Sequence, residues 1–243
     1  MAKTKRNDGR RPNQLREVVI TTGFVGTADG SCLIETGGTR VICTASLSGG
    51  VKKWRQGSGL GWLTAEYGML PASTGRRKSR ATGKPDSRAT EIQRLIGRVV
   101  RNVVRFDRLG ENTLHLDCDV LEADGGTRTA AITGAYVAAS IAASRCAEQE
   151  RCKPGVIVGQ VAAISVGVVN GQVLLDLDYS EDSNAEVDMN VAMLGGKFVE
   201  VQGSAERAPF SGEQLTEMLA VARKGIRKLI TIQRTAIRET LSK

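Results

Sequence analysis

The chain has 243 residues, with 34 basic and 26 acidic side chains, five cysteines and a single histidine, and this length suits one or two domains. The net charge of +8 lies between Arg76 and Arg105, where ten basic residues accompany two acids, and the rest of the chain is neutral. One histidine excludes a multi-histidine metal site, and the sequence has neither a GxSxG nucleophile motif nor a GxxxxGK[ST] phosphate loop. The odd cysteine count without CxxC spacing, and an N-terminus without an apolar stretch, predict a cytoplasmic protein.

Hydrophobic periodicity and turn residues predict a strand-rich N-terminal half. Residues 1–16 are predicted to be a polar arm, followed by three strands within residues 17–47. The last two strands are joined by a glycine turn at 36–39. Residues 48–61 are expected to be a glycine-rich loop, and residues 67–87 have almost no apolar content. Within the latter segment, residues 71–87 are predicted to form a flexible basic loop.

The C-terminal half alternates predicted helices and strands. A helix is expected to begin near Ser87, with one apolar stripe facing the core and a separate arginine stripe made of Arg94, Arg98, Arg101 and Arg105. Next come a strand at 113–121, in which His115 lies on the polar face, and an alanine-rich buried helix that runs to about residue 150. Further strands at 156–169 and 172–179, a hairpin through 195–196 and a final helix from a capping box at Ser211 complete the chain. No linker divides the sequence, so residues 1–243 are expected to form one α/β domain with helices packed on sheet.

The tetrapeptide Gly-Gly-Thr-Arg occurs twice, at 37–40 and at 125–128, and the two copies are followed by different structures. The first leads into a strand and is interpreted as a turn. The second leads into the buried helix, so that Gly126, Thr127 and Arg128 would lie at a helix N-terminus, which is a favourable place for an anion such as phosphate. A simple glycine turn capped by Asp124 or Thr129 is the alternative reading of the same residues.

An acidic stretch at 176–188 contains no basic residue. Asp182 and Asp188 stand near the boundary of two predicted strands, where carboxylates could hold Mg²⁺ or protonate a leaving oxygen. A solvated acidic loop is the alternative. The basic segment is open to a similar choice, between attraction to a phosphate backbone and a solvated face.

Several longer segments resemble the ribonuclease PH family of bacterial phosphorolytic exoribonucleases, which is related to polynucleotide phosphorylase and the exosome ring subunits. The resemblance covers residues from about 5 to 235, nearly the whole chain. The matching segments are RNDGR (6–10), AEYGMLP (65–71), RATEIQRLIGR (88–98), DCDVLEADGGTRT (117–129), EDSNAEVDMNV (181–191) and VEVQG (199–203).

This resemblance implies a layered fold with mixed sheets packed against helices, and a homohexamer built as a trimer of dimers. It also implies inorganic phosphate as co-substrate, nucleoside diphosphate products, and tRNA precursors and other structured RNA 3′ ends as substrates. By the match, Arg88, Gly126, Thr127 and Arg128 bind phosphate, and Asp182 and Asp188 are the catalytic carboxylates and Mg²⁺ ligands. The basic residues expected to grip RNA are Arg76, Arg77, Lys78 and Arg80. A non-catalytic RNA-binding ring subunit is the alternative function, although such a subunit would be expected to lack Arg128 or the acidic pair.

Overall fold

A computed structural model describes residues 6–80 and 86–242 of the chain. In chain order the elements are β1 (Val18–Thr22), β2 (Gly30–Thr36), β3 (Thr39–Gly49), a 3₁₀ turn (Lys53–Arg55), β4 (Trp62–Met69), α1 (Ser87–Arg101), α2 (Phe106–Leu109), β5 (Asn112–Glu122), α3 (Thr127–Glu148), β6 (Val161–Val169), β7 (Gln172–Leu175), α4 (Tyr179–Asp182), β8 (Val187–Leu194), β9 (Lys197–Ala205) and α5 (Gly212–Leu241).

The strands form two sheets. The first has the order β1-β2-β3-β5-β4, in which only β4 and β5 are parallel, and the second has the antiparallel order β7-β6-β8-β9. In β5 the side chains of Leu114, Leu116 and Cys118 are buried, whereas His115 lies on the opposite face. The imidazole Nε2 of His115 is 3.0 Å from Ser48 Oγ. The interpretation of His115 as a residue of the polar strand face is therefore confirmed.

Helix α3 lies at the centre and contacts β2, β3 and β5 on one side and β6 on the other. Its surface is apolar and made of small side chains, as expected for a helix that is buried on most of its faces. Gly134 permits the close approach of α3 to the first sheet, because a Cβ atom there would lie 2.6 Å from Cys43 Sγ. Among the described helices, only α3 is long and apolar enough to cross a membrane, and 78% of that stretch is buried inside the protein. It therefore serves as a core helix.

Local signals in the sequence located several elements correctly. Helix α1 begins at Ser87, and its amide groups are capped by the side chain of Asp86. Helix α5 begins at the predicted capping box, in which Ser211 and Gln214 bond each other's backbone amide. Glycines with positive φ form the two predicted hairpin turns, Gly37 between β2 and β3 and the 195–196 pair between β8 and β9.

Other boundaries differ from the predictions. Strand β4 was missed, because the expected loop began at Tyr67, which is inside that strand. The expected strand at 172–179 ends at Leu175, since Asp176 turns the chain with a φ of +56°. Helix α1 ends at Arg101, so Arg105 is not part of its arginine stripe and instead precedes α2.

Two predicted segments extend beyond the described residues. In the arm, residues 1–5 lie outside them, and residues 6–16 form turns and irregular structure in which Arg6 and Arg16 are buried. In the expected flexible loop, residues 81–85 lie outside them, whereas residues 71–80 contain turns and bends and neither helix nor strand. The flexibility of this loop stays a prediction.

Candidate active site

The second Gly-Gly-Thr-Arg copy forms the entry to α3. Gly125 and Gly126 have φ angles of +73° and +66°, and Gly126 is the N-cap of the helix without a side-chain capping bond. The alternative reading as a capped turn is wrong. Asp124 accepts instead from the amide of Tyr179 at 3.2 Å, and the Thr129 hydroxyl donates to the carbonyl of Gly126 at 2.9 Å. Within residues 6–80 and 86–242, no side chain caps the first amides of α3, and they can donate to an anion.

The first Gly-Gly-Thr-Arg copy is the hairpin turn that was predicted, and it also supports the second copy. The hydroxyl of Thr39 donates to the carbonyl of Gly125 at 2.6 Å and accepts from the amide of Asp124 at 2.9 Å. Gly38 allows this contact, because a Cβ atom there would be 2.8 Å from a carboxylate oxygen of Asp124. The segment 124–127, called here the phosphate loop because the sequence predicts that it binds phosphate, is therefore fixed by a residue 85 positions earlier in the chain.

Tyr67 of β4 contacts the first residue of α3. Its hydroxyl donates to Thr127 Oγ1 at 3.0 Å, and both side chains are buried. Burial raises the pKa of Tyr67, whereas the hydrogen bond to Thr127 and the positive charges of Arg88 and Arg128 act in the opposite direction. Sequence reasoning did not find this residue as part of the site, because β4 was not predicted.

Two arginines bring positive charge to the phosphate loop from different helices. Arg128 follows directly in the first turn of α3, and its guanidinium lies 3.6 Å from a carboxylate oxygen of Glu91 and 3.3 Å from Gln202 Oε1. Arg88 is exposed in the first turn of α1. Both charges act on Tyr67 and on Asp182, so the structure brings the predicted phosphate-binding residues to one place.

The two predicted carboxylates also meet here. Asp182 is the last residue of α4 and Asp188 the second residue of β8. Burial raises the pKa of Asp182, against the charges of Arg128 and Arg88. Burial and then the neighbouring Asp182 carboxylate raise the pKa of Asp188 to about 6, with Arg128 opposing.

Asp188 retains an unused polar atom. Its Oδ1 is buried and has no hydrogen-bond partner among the described residues. A carboxyl group with a pKa near 6 can release a proton to a leaving oxygen, and two adjacent carboxylates can also share a hard cation. The described residues contain no cluster of three or more His, Cys, Asp or Glu arranged to hold a metal ion. The negative charge of Glu206 also acts on both aspartates and raises their pKa values further.

The remaining basic residues divide into two groups. The basic loop residues that the resemblance assigns to RNA are exposed and form no ion pair with any described residue: Arg76, Arg77, Lys78 and Arg80.

Three of the four arginines expected on one helical stripe have partners within the chain. Arg98 makes two hydrogen bonds of 2.9 Å to Glu200, Arg101 lies 4.3 Å above the ring of Trp62, and Arg105 pairs with Asp107. The stripe is therefore not a single continuous cationic surface.

Comparisons with known proteins agree with this geometry. Residues 14–143 match the model of the 3′ exoribonuclease family, domain 1, and residues 159–225 match domain 2 of the same family. A ribonuclease PH from Synechococcus sp. (strain CC9605) is 53% identical over 235 residues, which is 96% of this chain and 95% of the relative. A ribonuclease PH from Corynebacterium diphtheriae is 51% identical over 98% of this chain and its own full length.

Solved structures show the same fold at lower identity. Rice (Oryza sativa) Rrp46 superposes with a TM-score of 0.78 at 18% identity, covering 96% of this chain and all of that one. A chain of the Archaeoglobus fulgidus exosome, solved with RNA bound to its active site, gives a TM-score of 0.79 at 20% identity over 93% of this chain and 91% of its own. The mixed sheets packed against helices are thus the fold of this family, as predicted. The chain belongs to the 3′ exoribonuclease family and is a phosphorolytic 3′-to-5′ exoribonuclease of the ribonuclease PH type.

Proposed function

We propose that this enzyme trims the 3′ ends of tRNA precursors, with inorganic phosphate as the attacking group and nucleoside diphosphates as products. The observation that carries the proposal is the uncapped N-terminus of α3, which is flanked by Arg128 and faces two half-buried carboxyl groups. Phosphate is already an anion at neutral pH, so the reaction needs neither a histidine base nor a protein nucleophile.

Positive charge has the main task in such a reaction, because two anions have to meet in line. The backbone amides of the phosphate loop, among them those of Gly126 and Thr127, provide donors for the attacking phosphate. Arg88 and Arg128 screen its repulsion from the RNA phosphodiester, and a fixed arrangement of these donors needs no reorganisation during the reaction. Tyr67 supports this arrangement by holding the Thr127 hydroxyl.

Asp182 and Asp188 have the complementary task at the leaving 3′-oxygen. The unpartnered Oδ1 of Asp188 and its carboxylate neighbour fit a hard cation, so these two residues would hold Mg²⁺. When bound, the ion supplies charge stabilisation for the leaving oxygen. In the absence of the ion, the pKa of Asp188 is about 6, so its carboxyl group can instead be a proton donor at mildly acidic pH.

RNA outside the site is expected to contact the basic loop, where four exposed cations have no described ionic partner: Arg76, Arg77, Lys78 and Arg80. The chain is proposed to assemble as a homohexamer, built as a trimer of dimers, and the edge strand β9 offers a surface for contact between subunits. This strand is largely solvent-exposed and carries Phe198 and Val201, which are 40% and 43% exposed.

We place the enzyme in the cytoplasm. We also infer that residues 1–243 act as one domain, since α3 packs against both sheets.

Product analysis tests the function directly. A tRNA with a 3′ extension is incubated with the enzyme, with and without phosphate, and the released nucleotides are identified by chromatography. Nucleoside diphosphates that appear only with phosphate support the proposal, whereas monophosphates, or release indifferent to phosphate, contradict it. Binding of RNA without any product would favour the non-catalytic ring subunit, which the presence of Arg128, Asp182 and Asp188 makes the weaker alternative.

A further inference from the structure

The N-terminal arm carries three arginines that converge on one residue, Asp176. Arg6 and Arg10 each donate to its carbonyl oxygen at 2.9 Å, and Arg16 donates to its carboxylate from both the backbone amide, at 2.8 Å, and Nη2, at 2.7 Å. Asp176 and the side chains of all three arginines are almost completely buried. Buried charges of this kind require their partners, so the contact is a specific one.

Arg16 also contacts the phosphate loop. Its Nη1 donates to the carbonyl of Asp124 and its Nη2 lies 3.4 Å from the carbonyl of Gly125. One guanidinium thus joins the phosphate loop to Asp176, the residue from which the chain proceeds to Asp182. The two segments also touch directly, because a Cβ atom at Gly125 would lie 2.6 Å from the carbonyl of Leu177.

Asp176 occupies a conformation that side chains other than glycine rarely adopt. Its φ is +56°, which is the left-handed region of the backbone. A non-glycine residue stays in this region when surrounding interactions determine it. Here those interactions are the bonds from the arm to its carbonyl and carboxylate, so the arm fixes the direction in which the chain leaves β7.

The arm reaches the acidic end of the site a second time. Arg6 binds both carboxylate oxygens of Glu181, at 2.7 and 2.6 Å. Glu181 is part of the capping box that begins α4 at Asp178, and the next residue is Asp182. The turn that carries Asp182 is therefore held at its start by Asp178 and near its end by the arm.

We propose that Arg16 is a positioning residue that fixes the spacing between the phosphate loop and the Asp176–Asp182 turn, with Arg6 holding the far end of that turn. The inference rests on the proposed function, in which phosphate lies on one of these segments and the leaving oxygen on the other. A displacement of about 1 Å between reacting groups can lower turnover by roughly two orders of magnitude. Arg16 thereby acts on the rate while leaving phosphate binding in place.

Arginine suits this position because its planar guanidinium can donate to several acceptors at once. A lysine keeps the charge, but it presents a single ammonium group and cannot hold Asp176 and both carbonyls in the same geometry. Arg16→Lys is thus the informative substitution, since it separates the bridging geometry from the charge. Arg40→Lys is the matched control, because Arg40 is an exposed arginine of β3 that pairs with Glu35 and Glu122.

The experiment measures kcat at saturating phosphate and RNA, together with the rise in Tm that inorganic phosphate produces. We expect Arg16→Lys to lower kcat by about 10-fold to 100-fold and to keep the phosphate-induced rise in Tm, while Arg40→Lys changes neither. Asp176→Asn should lower kcat similarly, and the double variant should lose no more than the worse single variant, as for two residues that act as a unit. If Arg16→Lys does not fold, Asp176→Asn alone is judged by the same two measurements.

Three results would overturn the inference. One is a kcat of Arg16→Lys that equals that of wild type, and the second is a loss of the phosphate-induced rise in Tm, which would make Arg16 a part of phosphate binding. The third is a double variant whose loss is the product of the two single losses. A wild-type enzyme without phosphate-dependent diphosphate release would instead contradict the proposed function, so the two failures are distinguishable.

Discussion

The hydroxyl of Tyr67 donates a 3.0 Å hydrogen bond to the hydroxyl of Thr127, and this bond connects an edge strand of the first sheet to the N-terminus of the central helix. It leaves the Thr127 oxygen at a fixed position beside the amides of α3. The edge strand β4 thus contributes to the site through a residue that does not itself need to change its protonation state.

Tyr67→Phe should therefore weaken phosphate use. We expect the KM for phosphate to rise about 3-fold to 10-fold, because a neutral hydrogen bond contributes about 1 kcal/mol, and the KM for RNA should change little. Tyr136→Phe is the control. The Tyr136 hydroxyl donates a hydrogen bond of the same length, 3.0 Å, but its acceptor is the carbonyl of Gly159, which is not part of the phosphate loop. Steady-state kinetics with varied phosphate measure both variants, and an equal effect of both would contradict the role of Tyr67.

Asp188 should make stability depend on pH. Its pKa is about 6 in the folded protein, above the usual value of a free aspartate, so the folded state binds this proton more tightly than the unfolded state. The folded protein accordingly loses stability as the pH rises through roughly 4 to 6. Asp188→Asn removes the effect and should be more stable than wild type at pH 7 by about 1 to 3 kcal/mol.

This gain should disappear below about pH 4 (roughly the unfolded pKa), where the Asp188 carboxyl is protonated in both the folded and the unfolded wild type. Urea unfolding at several pH values in the presence of EDTA measures it, and Glu217→Gln, which removes an exposed carboxylate of α5, is the control. A gain in stability for Asp188→Asn that is the same at all pH values would show that the carboxyl does not titrate as described.

Arg101 should act in folding rather than in RNA binding. Its guanidinium lies over Trp62 and donates to the carbonyl of Leu63 at 2.9 Å. Arg101→Met should therefore lower the free energy of unfolding by about 1 to 2 kcal/mol, and the RNA affinity of the folded variant should be unchanged. Arg94→Met is the control, because Arg94 is exposed on the same helix and makes no ion pair with a described residue. Equal losses of stability would contradict this assignment.

The basic loop should contribute affinity through charge alone. Changing Arg76, Arg77 and Arg80 together to Gln should weaken RNA binding and reduce the slope of log K against log salt by about 2, since each phosphate contact contributes about 0.7 for a single strand. Changing Lys224, Arg227 and Lys228 of α5 to Gln removes the same charge from another exposed surface and should leave the slope nearly unchanged. Filter binding at several salt concentrations measures both, and parallel slopes for the two variants would refute a loop-specific contact.

Features that depend on neighbouring residues in the chain could be predicted from sequence. The glycine turn before α3, the Asp182–Asp188 segment and the start of α1 are all of this kind, because turns, caps and periodicity are local. Their assembly into one site was implied only by the resemblance, since nothing in the local pattern tells which segments meet.

Features that depend on distant partners could not be predicted. Arg6 looks like one polar residue of an arm, and its burial follows from an ion pair with Glu181, 175 positions later. Arg105 fits the spacing of the arginine stripe, but the helix ends before it. Strand β4 follows a glycine-rich loop and lies at the edge of the first sheet. Its position depends on parallel pairing with β5, which is distant in the sequence.

The central claim is that the α3 N-terminus binds the attacking phosphate with the help of Arg128. Its most direct test is the KM for phosphate of Arg128→Gln at saturating RNA, with Arg94→Gln as the control. We predict a rise of about 10-fold to 100-fold for Arg128→Gln, the loss expected for a hydrogen bond to a charged group, and little change in RNA affinity measured without phosphate. An unchanged KM for phosphate, with a loss of RNA affinity instead, would contradict the account.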